Sequence, residues 1–143
     1  METIARIYEV LPKTVVNLTE SVDWLVKAQA GQDPDIPNLD VHQYATLKQF
    51  DLCYIYLIKT GIALLKSQYQ ITLRLTTPKK VFNTLYQKAL ISQDELATLM
   101  ATIQIRRLTR KCYDETYIDQ TIQAIIEILP AITLIAKKIV PEK

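Results

Sequence analysis

Apolar residues recur at helical spacing along most of the chain, and short polar stretches separate the helical segments. The segment of residues 31–38, with one glycine, two prolines, two aspartates and an asparagine, is typical of a loop. We predict helices over residues 14–30, 41–70, 78–89 and 93–111, and a fifth that begins after Asp114. An extension of the first helix by one turn before Pro12 stays open. Pro130 is expected to kink the fifth helix or to end its first half.

Three helix starts carry local signals. Thr77 followed by Pro78 is typical of an N-cap and a first helical residue. Ser92 and Glu95 have the spacing of a capping box, in which each side chain binds the other residue's backbone amide. Asp114 is predicted to cap the fifth helix. These signals fix where three of the five helices begin.

The glycine content favours helices over sheets, because only Gly31 and Gly61 occur and a sheet-rich domain needs more turn glycines. No internal repeat or change in composition divides the chain. We therefore predict a single domain over residues 1–143. Its fold class is all-α, an up-and-down antiparallel four-helix bundle with an additional shorter helix.

Composition also indicates the charge, the state of the cysteines and the location to expect for this protein. The net charge of +2 is nearly neutral, so any basic feature is local. Cys53 and Cys112 lie in unrelated contexts and are expected to be free thiols, with Cys53 in the core. No apolar run is long enough to cross a membrane, and we expect a cytoplasmic protein. The sequence predicts no cofactor and no metal site, and His42 is interpreted as a capping or surface residue.

The segment IRRLTRKCYDE, residues 105–115, concentrates basic residues. The apolar stripe of the fourth helix is predicted to consist of Leu96, Leu99, Met100 and Ile103, within about 60° of one another on a helical wheel. Arg107, Arg110 and Lys111 continue this stripe, whereas Arg106 lies about 80° away. Cations in a last turn complement the helix dipole. Their predicted position on the core-facing stripe instead favours a phosphate-binding cleft with Tyr113, or a subunit interface.

Other polar and aromatic positions have two interpretations each. Asp51, inside the apolar part of the second helix, either faces solvent or is the buried partner of an arginine from the fourth helix. Lys79 and Lys80 are interpreted mainly as solvated. Trp24 is interpreted as a core or dimer residue. Core or interface positions are also predicted for four tyrosines, Tyr54, Tyr56, Tyr69 and Tyr86.

Several short motifs in a fixed order resemble one protein family. They are Thr77–Val81, Ala89–Glu95, Met100, residues 106–109, residues 113–115, and Phe50–Tyr54 with Lys59. Together they are similar to the nucleotidyltransferase substrate-binding proteins of the HEPN superfamily, over more than half of the chain. The resemblance implies a bundle of four to five helices, a homodimer, and a small nucleotidyltransferase encoded nearby as partner.

Related HEPN proteins are ribonuclease toxins that use an arginine, a histidine and a tyrosine. By resemblance, Arg106 takes the arginine position and Tyr113 the tyrosine position, where the partner can attach a nucleotide. Lys111 stands in place of the histidine. A lysine needs a large pKa depression to exchange protons near neutral pH, so we expect weak or absent ribonuclease activity.

Three hypotheses follow. In the first, the chain is a non-catalytic or weakly active HEPN-type partner or substrate-binding subunit of a nucleotidyltransferase. It would hold a nucleotide or RNA phosphate with Asp51, Arg106, Arg107, Arg110, Lys111 and Tyr113. In the second, it is a ribonuclease toxin of a toxin–antitoxin pair with Lys111 replacing histidine. In the third, it is a purely structural interaction protein.

Overall fold

The computed structural model describes residues 2–31, 39–74, 76–112 and 114–141. Within these ranges every regular element is a helix and no strand occurs, which confirms the all-α class. The elements are α1 (Ile4–Ala30), α2 (Leu39–Tyr69), α3 (Pro78–Gln87), α4 (Gln93–Thr109) and α5 (Glu115–Ile139). In the described part of the chain, no helix has the length and apolar character that crossing a membrane requires.

The predicted starts of α3, α4 and α5 are confirmed, and each has the predicted capping side chain. The Thr77 hydroxyl accepts from the Lys80 amide, with Pro78 as the first helical residue. Ser92 and Glu95 form the complete capping box. The α1 helix ends at Gly31, whose φ of 63° lies in the left-handed region that glycine tolerates best.

Neither proline ends a helix, which corrects the predicted start of α1 and the expectation that Pro130 ends the first half of α5. The α1 helix begins at Ile4, well before the predicted start near residue 14, and Pro12 lies inside it. The α5 helix likewise continues past Pro130. A helical proline costs about 3 kcal/mol. Leu11 beside Pro12 and Ile132 beyond Pro130 are both fully buried. Burial of such side chains contributes about 1.5–3 kcal/mol each, so packing along each helix outweighs one lost hydrogen bond.

Contacts between helix ends show how the long helices run. The hydroxyls of Tyr8, near the start of α1, and Ser67, near the end of α2, are 3.1 Å apart. Glu95, at the start of α4, binds Lys138, near the end of α5, at 2.7 Å. The two helices therefore run in opposite directions within each of the pairs α1–α2 and α4–α5. This fits the predicted up-and-down order.

The core contains apolar side chains from all five helices, among them Leu18, Phe50, Leu57, Phe82, Leu99 and Ile125, each fully buried. The short α3 packs against α2 and α4. Gly61 of α2 faces Val81 and Leu85 of α3, and its missing side chain permits the close approach. Cys53 is buried and free as predicted, and so is Cys112.

Threonines also lie in the core. Thr14, Thr46, Thr102 and Thr121 are buried. The Thr14 hydroxyl donates to the Leu11 carbonyl and the Thr46 hydroxyl to the His42 carbonyl. Thr102 and Thr121 bind carbonyls of their own helices in the same way. A buried hydroxyl costs little once it is hydrogen-bonded, which accounts for these four threonines. A fifth, Thr60, is also buried, and its hydroxyl has no hydrogen-bond partner among the described residues.

Candidate functional site

An ion pair joins the second and fourth helices. The Arg106 Nη1 atom lies 2.6 Å from Asp51 Oδ2, and the two side chains are 23% and 31% exposed. Of the two interpretations of Asp51, the partner of a fourth-helix arginine is therefore correct. The pair is half-buried rather than fully buried, so one side of the guanidinium remains accessible to solvent.

Thr109 completes this contact. Its hydroxyl lies 2.9 Å from Asp51 Oδ1 and 2.8 Å from the Arg106 carbonyl. A hydroxyl donates one proton, and a charged carboxylate is the stronger acceptor. The Asp51 carboxylate is thus held on one oxygen by Arg106 and on the other by Thr109. This fixes the guanidinium at the end of α4.

Tyr54 lies beneath the arginine. The Arg106 guanidinium carbon is 6.0 Å from the centre of the tyrosine ring, within the range of a cation–π contact. Burial raises the pKa of the Tyr54 hydroxyl, and the positive charges of Arg106, Arg110 and Arg107 oppose that rise. All three arginines therefore contribute positive charge at one buried ring, and Arg106 contacts it directly. Tyr54 is a core residue as predicted.

The predicted core-facing stripe of α4 is wrong in part, because Leu99 is fully buried as predicted but the centre of the buried face lies elsewhere. The buried residues of this helix are Leu99, Thr102 and Ile105, whereas Leu96, Met100 and Ile103 are only half-buried. The core-facing side is turned by roughly 120° from the predicted one. Arg106 and Thr109 lie on that side, while Arg107, Arg110 and Lys111 are exposed.

The exposed cations have different contacts. An Arg107 guanidinium nitrogen donates to Gln104 Oε1 at 3.2 Å. Lys111 Nζ lies 5.7 Å from the centre of the Tyr117 ring. Arg110 caps α4 at its C-terminal end, where a positive charge complements the helix dipole. These cations can complement the helix dipole and also bind an anion, because exposed guanidinium groups keep unused hydrogen-bond donors.

The half-buried stripe lines a groove between α3 and α4 with a volume of about 890 Å³. Leu96, Met100 and Ile103 are apolar members of its lining. Its polar members are Thr77, Lys79, Asn83, Gln104 and Arg107. Arg107 thus does continue the predicted stripe, and the stripe lines a groove at the edge of the core.

Other predicted positions differ as well. Tyr113 lies outside the described residues. Trp24 is 51% exposed, with its ring stacked on His42 at 6.2 Å between centres, so it is not a core residue. His42 follows the first residues of α2 and does not cap it. Tyr69 and Tyr86 are exposed, which contradicts a core position for them.

Sequence reasoning missed Thr109 and Asn83. Thr109 lies three residues after Arg106, and this spacing, which puts both on one helix face, was the available signal. No comparable signal marked Asn83, because the groove it lines depends on the packing of α3 against α4.

The described parts of the chain contain no cluster of three or more His, Cys, Asp or Glu side chains able to hold a metal ion.

The fold and the site define an all-α protein with an arginine-rich helix end, in which an aspartate fixes one of the arginines. Comparisons with protein-family models, with curated proteins and with solved structures found no match to this chain.

Proposed function

We propose that this protein is a HEPN-type partner subunit of a nucleotidyltransferase. It binds a nucleotide or RNA phosphate at the C-terminal end of α4 and has weak or no ribonuclease activity. The observation that carries the proposal is the placement of the arginines. Arg106 is fixed by Asp51, while its neighbour Arg107 and the C-cap residue Arg110 are exposed. Several guanidinium groups on one short segment suit phosphate oxygens, which accept paired hydrogen bonds.

The position of Lys111 supports a non-catalytic role. Its ammonium group lies 5.7 Å from the centre of the Tyr117 ring, a cation–π contact that holds it against α5. A charged lysine is a poor general base near neutral pH. The competing hypothesis of a ribonuclease with Lys111 as the proton-transfer group is tested in the same preparation. RNA cleavage that Arg106→Ala and Lys111→Ala abolish would favour it.

Binding is measured by fluorescence anisotropy with a labelled single-stranded RNA oligonucleotide at several salt concentrations. Each phosphate contact to single-stranded nucleic acid contributes about −0.7 to the slope of log K against log salt. We therefore expect the double variant Arg107→Ala, Arg110→Ala to reduce the slope by about 1.4.

A matched control removes two positive charges elsewhere. Arg6 and Lys13, both on α1, are exposed and belong neither to the groove nor to the Asp51–Arg106 ion pair. The variant Arg6→Ala, Lys13→Ala has the same net charge as the test variant. Equal loss of binding in both would show that only overall charge matters, and the proposal would fail.

The partner is tested separately. A small nucleotidyltransferase encoded beside this chain is co-expressed with it, and the mixture is analysed by size-exclusion chromatography with light scattering. We expect co-elution, with two copies of this chain in the complex. Elution of the two proteins as separate peaks would contradict this part of the proposal.

A further inference from the structure

The groove between α3 and α4 has features of a small-molecule site. Its volume of about 890 Å³ lies within the usual range for ligand pockets, roughly 300–1,000 Å³. One side is apolar and comes from α4, while α3 contributes mostly polar side chains. We propose that this groove binds a mononucleotide, with its base on the apolar side and its phosphate between Lys79 and Arg107. This inference rests on the proposed function and names its ligand class.

The charges in the groove point to an anion. Lys79 belongs to the first turn of α3 and Arg107 to the last turn of α4, and both line the groove. No acid occurs among the described lining residues. The N-terminus of α3 adds the positive end of its dipole to these cations. A phosphate would therefore meet positive charge from two helices.

The apolar surface suits a flat ring. Leu96, Met100 and Ile103 are half-buried on one face of α4, so they present a partly accessible surface without polar atoms. A thioether makes favourable contacts with aromatic rings at about 5 Å. An aromatic base can cover this surface and keep its polar edge outward.

Two amides favour a base over an acyl chain. Asn83 of α3 and Gln104 of α4 both line the groove. The Gln104 oxygen already accepts from Arg107, which leaves its NH2 group to donate. Base edges offer donors and acceptors to such amides. An acyl chain would cover the amides without pairing them, which costs free energy.

Met100 provides a direct reporter. The chain contains two methionines, Met1 and Met100. Protein labelled with 13C at the methionine methyl groups is titrated with AMP to millimolar concentration and followed by NMR. We expect the Met100 methyl signal to move through the ring current of the base. Ribose 5-phosphate, which lacks the base, should leave this signal in place and bind more weakly.

Variants separate the two ends of the site. Asn83→Ala and Ile103→Gln are each expected to weaken AMP binding about fivefold, which corresponds to the loss of one hydrogen bond or one apolar contact. Both variants should leave ribose 5-phosphate binding unchanged, because that ligand has no base. Lys79→Ala should weaken both ligands. Gln120→Ala, which removes an exposed amide of α5 outside the groove, is the control and should change neither.

The possible failures are distinguishable. If RNA binding depends on Arg107 and Arg110 but AMP leaves the Met100 signal unmoved, the groove inference is wrong and the proposed function stands. If octanoate moves the Met100 signal as strongly as AMP does, the groove accepts any apolar anion and the inference is also wrong. If neither RNA nor AMP binds, both the inference and the proposed function fail.

Discussion

Replacing Gly61 by alanine tests the packing of α3, and with it one wall of the groove. A Cβ atom at this position would lie 2.9 Å from Val81 Cγ1 and 3.2 Å from Leu85 Cδ1. Carbon atoms prefer separations of about 3.5–4.0 Å, so the contact with Val81 must widen by roughly half an ångström or more. Val81 is fully buried and β-branched, and its χ1 angle has one strongly preferred value in a helix. The clash is therefore relieved only by moving α3.

Two opposing effects set the magnitude. Alanine is favoured over glycine inside a helix by about 1 kcal/mol. Overpacking a well-filled core costs about 1–3 kcal/mol. We expect Gly61→Ala to lower the free energy of unfolding by about 1 kcal/mol. The measurement is urea denaturation followed by circular dichroism at a helical wavelength.

The variant Val81→Ala supplies the matched background, because it removes the Cγ1 atom that the new Cβ would approach. In this background the clash is largely gone and the helix preference remains. Gly61→Ala should then raise the free energy of unfolding, so the sign of its effect reverses. If Gly61→Ala stabilises the unmodified chain by about 1 kcal/mol, α3 moves without cost and the reasoning is refuted.

Two other groups give predictions that depend on pKa. Hydrogen bonds from Lys138 first, and then from Ser92, lower the pKa of Glu95 below its ordinary value of 4.5. Its contribution to stability is thus full above about pH 4.5 and is lost as pH falls through the lower folded value. Glu95→Gln should flatten this acid limb in denaturation measured down to about pH 3, and an unchanged limb would contradict the assignment. Burial raises the pKa of Cys53 to about 11, and Cys112 is also buried. Ellman's reagent at mildly alkaline pH should therefore react with neither thiol in the native protein and with both in guanidinium; rapid reaction of the folded chain would contradict it.

The starts of α3 and α4 could be predicted from sequence, because each cap involves residues three apart. Thr77 and Ser92 needed no knowledge of the rest of the fold. Whether a proline ends its helix could not be predicted from neighbouring residues in the sequence. Whether Pro12 ends a helix depends on the burial of Leu11 and Val15 around it, which is a property of the folded core.

The face of α4 was predicted wrongly for a related reason. Hydrophobicity alone selects Leu96 and Ile103 and passes over Thr102, yet Thr102 is fully buried. Its hydroxyl binds the Leu99 carbonyl, and a hydrogen bond within the same helix cannot be recognised from composition. The residue types of the site were nevertheless predictable. Asp51 and Arg106 do meet, whereas the groove required the position of α3.

The buried threonines have a consequence for how this sequence can diverge. Thr46 and Thr102 each bind a carbonyl of their own helix, and no hydrogen bond in the described structure joins their hydroxyls to a neighbouring helix. Such positions can exchange polar for apolar residues one at a time. Asp51 and Arg106 are different, because loss of either leaves a half-buried charge without its partner. Two proteins of this fold could therefore share the ion pair while sharing few of the residues that fill the core between their helices.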